Sequence, residues 1–228
     1  HQLESLDLSR CSKLKYLSVT TGSLSTLKLD SCAELVMLNC SKNNLKELDV
    51  TPLTNLSFLN CSNNQITSAL DLTDKSQLTS LNIANNKIPS IKVEGCHKIP
   101  SLDCSGNLLS ELSVKNCAGL SSLKCNNNQL QSLSIDNLPK IETLNCSSNI
   151  LTSLTIASCE KLTTLNCGSN NLQSIAIANT PLLKTVTCSN NAFQDLDFIK
   201  ELTSVTEVDC SANPFTSLDI SKAESITK

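Results

Sequence analysis

Thiols dominate the chemistry this chain could perform. It carries 13 cysteines in 228 residues. Eight of them form one series: Cys40, Cys61, Cys104, Cys125, Cys146, Cys167, Cys188 and Cys210. The other five are Cys11, Cys32, Cys96, Cys117 and Cys159. Thiols pair as disulfides, bind soft metals or act as nucleophiles, and each use leaves a mark in sequence. A disulfide framework pairs its cysteines, but 13 is odd. Zinc sites want ligands clustered at Cys-x2–4-Cys spacing. Here the recurrent close pairs, such as Cys32/Cys40 and Cys117/Cys125, have seven residues between them. A nucleophilic thiol needs a base, and the only histidines are His1 and His97. Val19 and Ile83 fill slots of the same series, so the slot accepts small apolar groups. A free cysteine behaves as a small, commonly buried hydrophobe. Thiols side by side on paired strands would also sit ~4.8 Å apart, wider than the ~3.8 Å Cβ separation of a disulfide. Buried, reduced thiols are therefore expected, with disulfide, metal and catalytic uses as the alternatives.

No other group of residues suggests catalysis. Histidine, paired carboxylates and a nucleophile never coincide on one outward face, and no glycine-rich phosphate loop follows a strand pattern. The sequence thus predicts a chain without enzyme activity and without a cofactor. The residues that stand out for binding are Tyr16, Met37 and Phe58. They are the only Tyr, the only Met and one of four Phe. They share one outward slot in three successive repeats. Three large apolar side chains ~5 Å apart on a sheet face make a candidate interaction patch. Lys15 and Lys42 lie beside them, and Asn39 and Asn60 complete the candidate ligand-binding set. The competing reading packs these side chains on a cap or on one another. Carbohydrate is the less expected ligand, because aromatic residues are 2 % of the chain and Trp is absent. Asn-x-Ser/Thr sequons occur at Asn39, Asn55, Asn60 and Asn145. Three of these are Asn-Cys-Ser, made by the repeat itself, and carry no argument for glycosylation.

The elements that must position these residues follow from a 21-residue period. Its clearest copy runs Ile99-Pro-Ser-Leu102-Asp-Cys104-Ser-Gly-Asn107-Leu-Leu109-Ser-Glu-Leu112-Ser-Val114. Such a period marks a solenoid, whose coils bury their apolar faces only against one another. Coils begin at Leu14, Leu35, Leu56, Leu78, Ile99, Leu120, Ile141, Leu162, Leu183 and Val205, with a partial coil before them and a last start at Ile226. Counting from each start, positions 1, 4, 6, 11, 14 and 16 are nearly always apolar. Positions 4 and 6 alternate with polar neighbours, the pattern of a half-buried strand. One parallel strand per coil is predicted, with positions 3, 5 and 7 facing outward. Positions 11, 14 and 16 repeat the alternation and predict an extended or irregular segment on the far side. Phe193 and Phe215 fall at core position 11 and Phe198 at core position 16. Two coils have an extra residue, placed near Ser68-Ala69 and Lys200-Glu201, where a bulge disturbs the front strands least. Position 9 is an Asn column: Asn43, Asn64, Asn86, Asn107, Asn128, Asn149, Asn170, Asn191 and Asn213. A buried turn leaves backbone groups in need of partners, and an Asn amide supplies both donors and an acceptor. Position 19 is shared by the five remaining cysteines with Leu53, Leu138, Thr180 and Ala223.

The pattern L-x-x-L-x-(L/C)-x-x-N-x-L resembles the leucine-rich repeat. The 21-residue spacing, the Cys at position 6 and the run Leu48-Asp-Val50-Thr-Pro resemble bacterial internalin-type surface proteins of the internalin J-like, cysteine-ladder kind. The resemblance implies a mainly β solenoid, a curved leucine-rich repeat coil that binds a protein through its sheet face. It also implies an extracellular or cell-surface location in a bacterium; a cytoplasmic one stays open. The unbroken period predicts a single domain over residues 1–228, a fragment of a longer protein. Net charge is −3 with both signs mixed along the chain. No basic stripe suggests nucleic acid, and no apolar run is long enough to span a membrane. The expected role is an adhesin-like recognition module for an unidentified protein, a host protein among the candidates. The alternatives are a structural spacer presenting another domain, or the repeat domain of an intracellular effector.

Overall fold

A computed structural model describes residues 2–73 and 75–218. The repeat start at Ile226, the position-19 residue Ala223 and His1 lie outside them. The front of the solenoid is one ten-stranded parallel sheet. Its strands are Tyr16–Ser18 (β2), Met37–Asn39 (β4), Phe58–Asn60 (β5), Ser80–Asn82 (β7), Ser101–Asp103 (β9), Ser122–Lys124 (β10), Thr143–Asn145 (β12), Thr164–Asn166 (β14), Thr185–Thr187 (β16) and Glu207–Asp209 (β17). Each covers positions 3 to 5 of its coil, and neighbours pair position for position, as in Met37 with Phe58 and Leu38 with Leu59. The predicted register therefore holds through all ten coils.

The far side is discontinuous. Short strands Ser5–Asp7 (β1) and Thr26–Lys28 (β3) pair, as do Leu70–Asp71 (β6) and Ile91–Lys92 (β8). Ser132–Asp136 (β11), Ser153–Ala157 (β13) and Ala176–Ala178 (β15) form a third small sheet. Both extra residues fall on this side. Leu70 pairs with Ile91, so the first is absorbed between Ile66 and Leu70. The second lies in a 3-10 helix, Asp197–Glu201, rather than in a bulge. That turn shifts the core register by one residue. Ile199 is buried while Phe198, expected in the core, is only half-buried and packs on Phe193 at 5.7 Å between ring centroids. Shallow depressions open where the back strands stop. One of them, about 850 Å³, lies beside Ile177, Leu182 and Leu202.

Between the two sides runs a single core. The coil from Leu35 buries Leu35, Leu38, Cys40, Leu45, Leu48, Val50 and Leu53. These are the apolar positions of the repeat, so the sequence period and the core stripe coincide. Among the described residues no helix is long and apolar enough to cross a membrane.

Candidate interaction surface

Three columns of side chains fix the front sheet, and their bonds decide which outward positions are free to bind. The first is the Asn column at position 9. Asn128 is representative: its Nδ2 donates to the carbonyls of Cys104 and Cys125 at 3.1 Å each and of Asn126 at 3.3 Å. Its Oδ1 accepts the N–H of Leu109 at 3.0 Å. Each amide thus ties its own turn to the preceding coil, as the donor and acceptor inventory predicts.

The second column is position 5. The Oδ1 of Asn39 accepts the backbone N–H of Ser41 at 3.3 Å and its hydroxyl at 2.9 Å. Asn60 does the same for Ser62 at 3.1 and 2.8 Å. Asp103, Asn145 and Asp209 repeat the bond with Ser105, Ser147 and Ser211. These are Asx turns, in which a short polar side chain closes on the backbone two residues on. The Asx bond holds the Asp209 carboxyl below its ordinary pKa. The motif was present in the sequence as Asn/Asp-Cys-Ser, masked by its reading as a sequon. Asn39 and Asn60 are therefore half-buried strand-end caps as well as candidate contacts.

The third column is position 8, where the backbone turns left-handed. Thr21, Lys42, Asn63, Asn85, Asn127, Ser148, Ser169, Asn190 and Ala212 all have φ between 53° and 58°, and Gly106 has φ 64°. A left-handed residue is costly for most side chains and tolerated by Asn and Gly. At Gly106 an added Cβ would also stand 2.5 Å from the Asn85 Oδ1. Asn enrichment at position 8 was the signal in the sequence, obscured by the stronger Asn column beside it.

The thiols face inward. Cys40, Cys61, Cys104, Cys125, Cys146, Cys167 and Cys188 are buried, and Cys210 is half-buried at the last described coil. Burial pushes the Cys40, Cys146 and Cys188 thiols up to about 12. Burial drives Cys61, Cys125 and Cys167 well above their ordinary value too. Such thiols stay protonated at neutral pH, so they are neither nucleophiles nor ready metal ligands. They act instead as weak donors between coils. Cys104 donates to the Lys124 carbonyl at 3.3 Å and Cys167 to that of Thr187 at 3.4 Å. At position 19, Cys32 and Cys117 donate backwards, to Leu8 at 3.4 Å and Val93 at 3.2 Å. Sequence reasoning missed two members of that column, both in coils with an extra residue: buried Leu202 and Lys75. The extra residue in its coil places Lys75 in the position-19 slot, 6 % exposed, with Nζ donating to the Thr51 carbonyl at 3.1 Å. Among the described residues no cluster of His, Cys, Asp and Glu could hold a metal ion.

Position 3 is what remains. Tyr16 pairs with Met37 and Met37 with Phe58, so the three side chains stand in one row across β2, β4 and β5. Tyr16 is 66 % exposed, and Met37 and Phe58 are half-buried. Lys15 and Lys42 are exposed on either side of the row along the chain. Beyond Phe58 the same slot carries Ser80, Ser101, Ser122, Thr143, Thr164 and Thr185, small hydroxyl residues that leave the face polar.

A repeat of this length, one parallel strand per coil and an Asn at the strand-end turn of nine of the ten coils decide the fold. The protein is a leucine-rich repeat solenoid. Similar solved structures agree with it. The functional domain of InlJ from Listeria monocytogenes, described as including a cysteine ladder, is 27 % identical with a TM-score of 0.72; the match covers 98 % of this chain and 57 % of that one. The leucine-rich repeat domain of APL1B matches at 18 % identity, TM-score 0.76, over 99 % and 68 % of the two chains. The ectodomain of the plant receptor kinase GASSHO1/SCHENGEN3 from Arabidopsis thaliana, in complex with Casparian strip integrity factor 2, matches at 24 % and TM-score 0.70, over 88 % and 27 %. The chain thus spans little more than half of the InlJ domain and about a quarter of the plant ectodomain. No family model matches the sequence, and no curated protein is similar to it.

Proposed function

We propose that this solenoid is the recognition module of a bacterial surface or secreted protein, adhesin-like in role, and that it binds a protein partner through the row Tyr16, Met37 and Phe58. The observation that carries the reading is the contrast between outward positions. Position 5 side chains close on the backbone in seven of the ten coils and position 8 is set by a left-handed turn, whereas position 3 bears no such duty. Large apolar groups there are not needed for the fold, since seven of the ten coils manage with Ser, Thr or Glu. Rigid repeats lose little entropy on binding, and their extended sheet faces commonly serve as binding surfaces. The InlJ likeness supports the surface location, and the plant neighbour was solved with a bound partner. Lys15, Lys42, Asn39 and Asn60 form the rim of the proposed site.

The test compares the parent with a Tyr16→Ser, Met37→Ser, Phe58→Ser variant on beads applied to epithelial monolayers and to bacterial cells. Hot-spot truncations each cost about 2 kcal/mol or more, so bead retention should fall at least tenfold. Protease treatment of the target cells should abolish retention by the parent. Equal retention of both proteins removes the row from the binding site. A parent that is not retained on either target favours the spacer role.

A further inference from the structure

The row and its surroundings also indicate what shape of partner fits, an inference that rests on the proposed function above. Over the first four coils, positions 2, 3, 5 and 7 of the front face carry no carboxylate. Lys15 is the one charge among them, and Lys42 stands at the rim. Glu34 is held by Lys13 at 2.8 Å and also lies within electrostatic reach of Lys15. Further along, the same positions carry Asp103, Glu142, Glu207 and Asp209 against Lys124 and Lys184. The face is thus polarised, with its apolar row at the basic end. Val36, half-buried beside Met37, widens the row.

The spacing of the row selects among partner conformations. Its two steps span ~9.6 Å at the parallel-strand spacing. Two turns of an α-helix rise ~10.8 Å, a mismatch of only ~1.2 Å. Same-face residues of an extended strand, taken over two steps, span ~13 Å, a mismatch of more than ~3 Å. A helix lying across the strands can therefore place residues i, i+3 or i+4, and i+7 against Phe58, Met37 and Tyr16 in turn.

We infer that the row Tyr16–Met37–Phe58 is a seat for an amphipathic α-helix of a partner protein, lying across the strands. Its apolar stripe meets the row and acidic residues flank that stripe towards Lys15 and Lys42. The two lysines supply the orientation, because a basic flank would set like charge against Lys15 and Lys42.

A random 16-residue peptide library displayed on phage is the probe. It is panned against the whole chain and counter-screened on the Tyr16→Ser, Met37→Ser, Phe58→Ser variant. Enriched peptides should carry apolar residues at i, i+3 or i+4 and i+7 with Asp or Glu beside them, and should gain helical circular dichroism on binding. Their affinity should fall at least tenfold on the triple variant. It should fall at least threefold on Lys15→Glu, Lys42→Glu, and further as salt is raised. Should the triple variant fail to fold, Tyr16→Ser alone replaces it, since that side chain is 66 % exposed. Row-dependent peptides with two-residue alternation or basic flanks would overturn the helix inference and leave the row intact as a binding site. Peptides indifferent to the row, or no enrichment at all, would overturn both. Self-association of the parent that vanishes in the triple variant would make a second copy the occupant and overturn the helical partner.

Discussion

Asn128→Ala should be among the most damaging single substitutions in the chain, and its neighbour shows why. The Asn128 side chain, 8 % exposed, bonds four backbone groups. Two of these, the Leu109 N–H and the Cys104 carbonyl, belong to the preceding coil. Truncation leaves the Leu109 N–H without a partner in a buried turn, whereas the Cys104 carbonyl keeps the Asn107 Nδ2 at 3.1 Å. Each buried unsatisfied group costs about 1–3 kcal/mol, and water entering the vacated space offsets part of that. A loss of about 1–3 kcal/mol is expected. Asn127 is exposed and makes no such bonds, yet its φ is 55°. Alanine there meets a left-handed penalty of about 1 kcal/mol, and glycine nearly none. The order of damage is Asn128→Ala, then Asn127→Ala, then Asn127→Gly. Urea titration with unchanged slope would measure it. Hydrogen exchange gives a local check, since the Leu109 amide should lose protection only in Asn128→Ala. Equal midpoints for Asn128→Ala and Asn127→Ala, or a protected Leu109 amide in the former, would refute the column as the tie between coils.

Three further outcomes follow from the core. Native thiol labelling should modify exposed Cys11 first and leave Cys104, Cys125 and Cys146 untouched until unfolding; rapid labelling of any of these three defeats the burial reading. Unfolded thiols ionise near pH ~8.5 while the buried ones stay protonated, so the native chain holds more protons in the alkaline range. Stability should accordingly be flat with respect to these thiols below pH ~8.5 and fall as pH rises from there to about 12, the value for Cys146. A Cys125→Val, Cys146→Val variant should flatten that fall, and an unchanged slope counts against the pKa argument. Lys75→Leu should leave stability unchanged or raise it by about 1 kcal/mol, because it removes a buried ammonium from a slot that Leu53 and Leu138 fill elsewhere. A loss above about 2 kcal/mol in urea unfolding would show that the Thr51 bond matters more than the burial cost.

How much of this was legible in the sequence depends on whether one residue or a neighbour sets the role. The front strands were legible because positions 4 and 6 alternate with polar residues, and the core side of a strand admits no other register. The Asn column was legible because one residue type recurs at one buried turn. Position 8 was not, because its Asn residues share the slot with Thr, Lys, Gly, Ser and Ala and stand beside the stronger Asn column. The far side was legible only as extended. Whether Leu48, Leu112 or Ile156 joins a ladder depends on the adjacent coil, and only the third lies in a strand. Lys75 escaped because an extra residue earlier in its coil moved it into a column otherwise taken by Cys, Leu or Thr. The row at positions 16, 37 and 58 was legible as a row, because in-register pairing follows from equal spacing.

The division of duties among outward positions has a consequence for how such a chain can change its ligand. At position 5 a substitution of Asn39 or Asn60 loses the Asx bond that ends the strand, a loss the sheet tolerates where Ser18, Lys124 and Thr187 fill the slot. At position 8 any residue must accept the left-handed turn, which leaves Lys42 free to vary in charge but at a backbone cost. At position 2 a hydroxyl often bonds the preceding coil, as Ser121 does to the Pro100 carbonyl at 2.9 Å and Thr163 to that of Glu142 at 3.0 Å. Position 3 carries the fewest such ties. Thr143 reaches the Ser122 hydroxyl at 3.0 Å, but Tyr16, Met37 and Phe58 have no hydroxyl bond of that kind to lose. Specificity can therefore be rewritten along position 3 with little effect on the fold. The physical reason to look for the partner at Tyr16, Met37 and Phe58 is that side chains so unlike the repeat stand where it constrains them least.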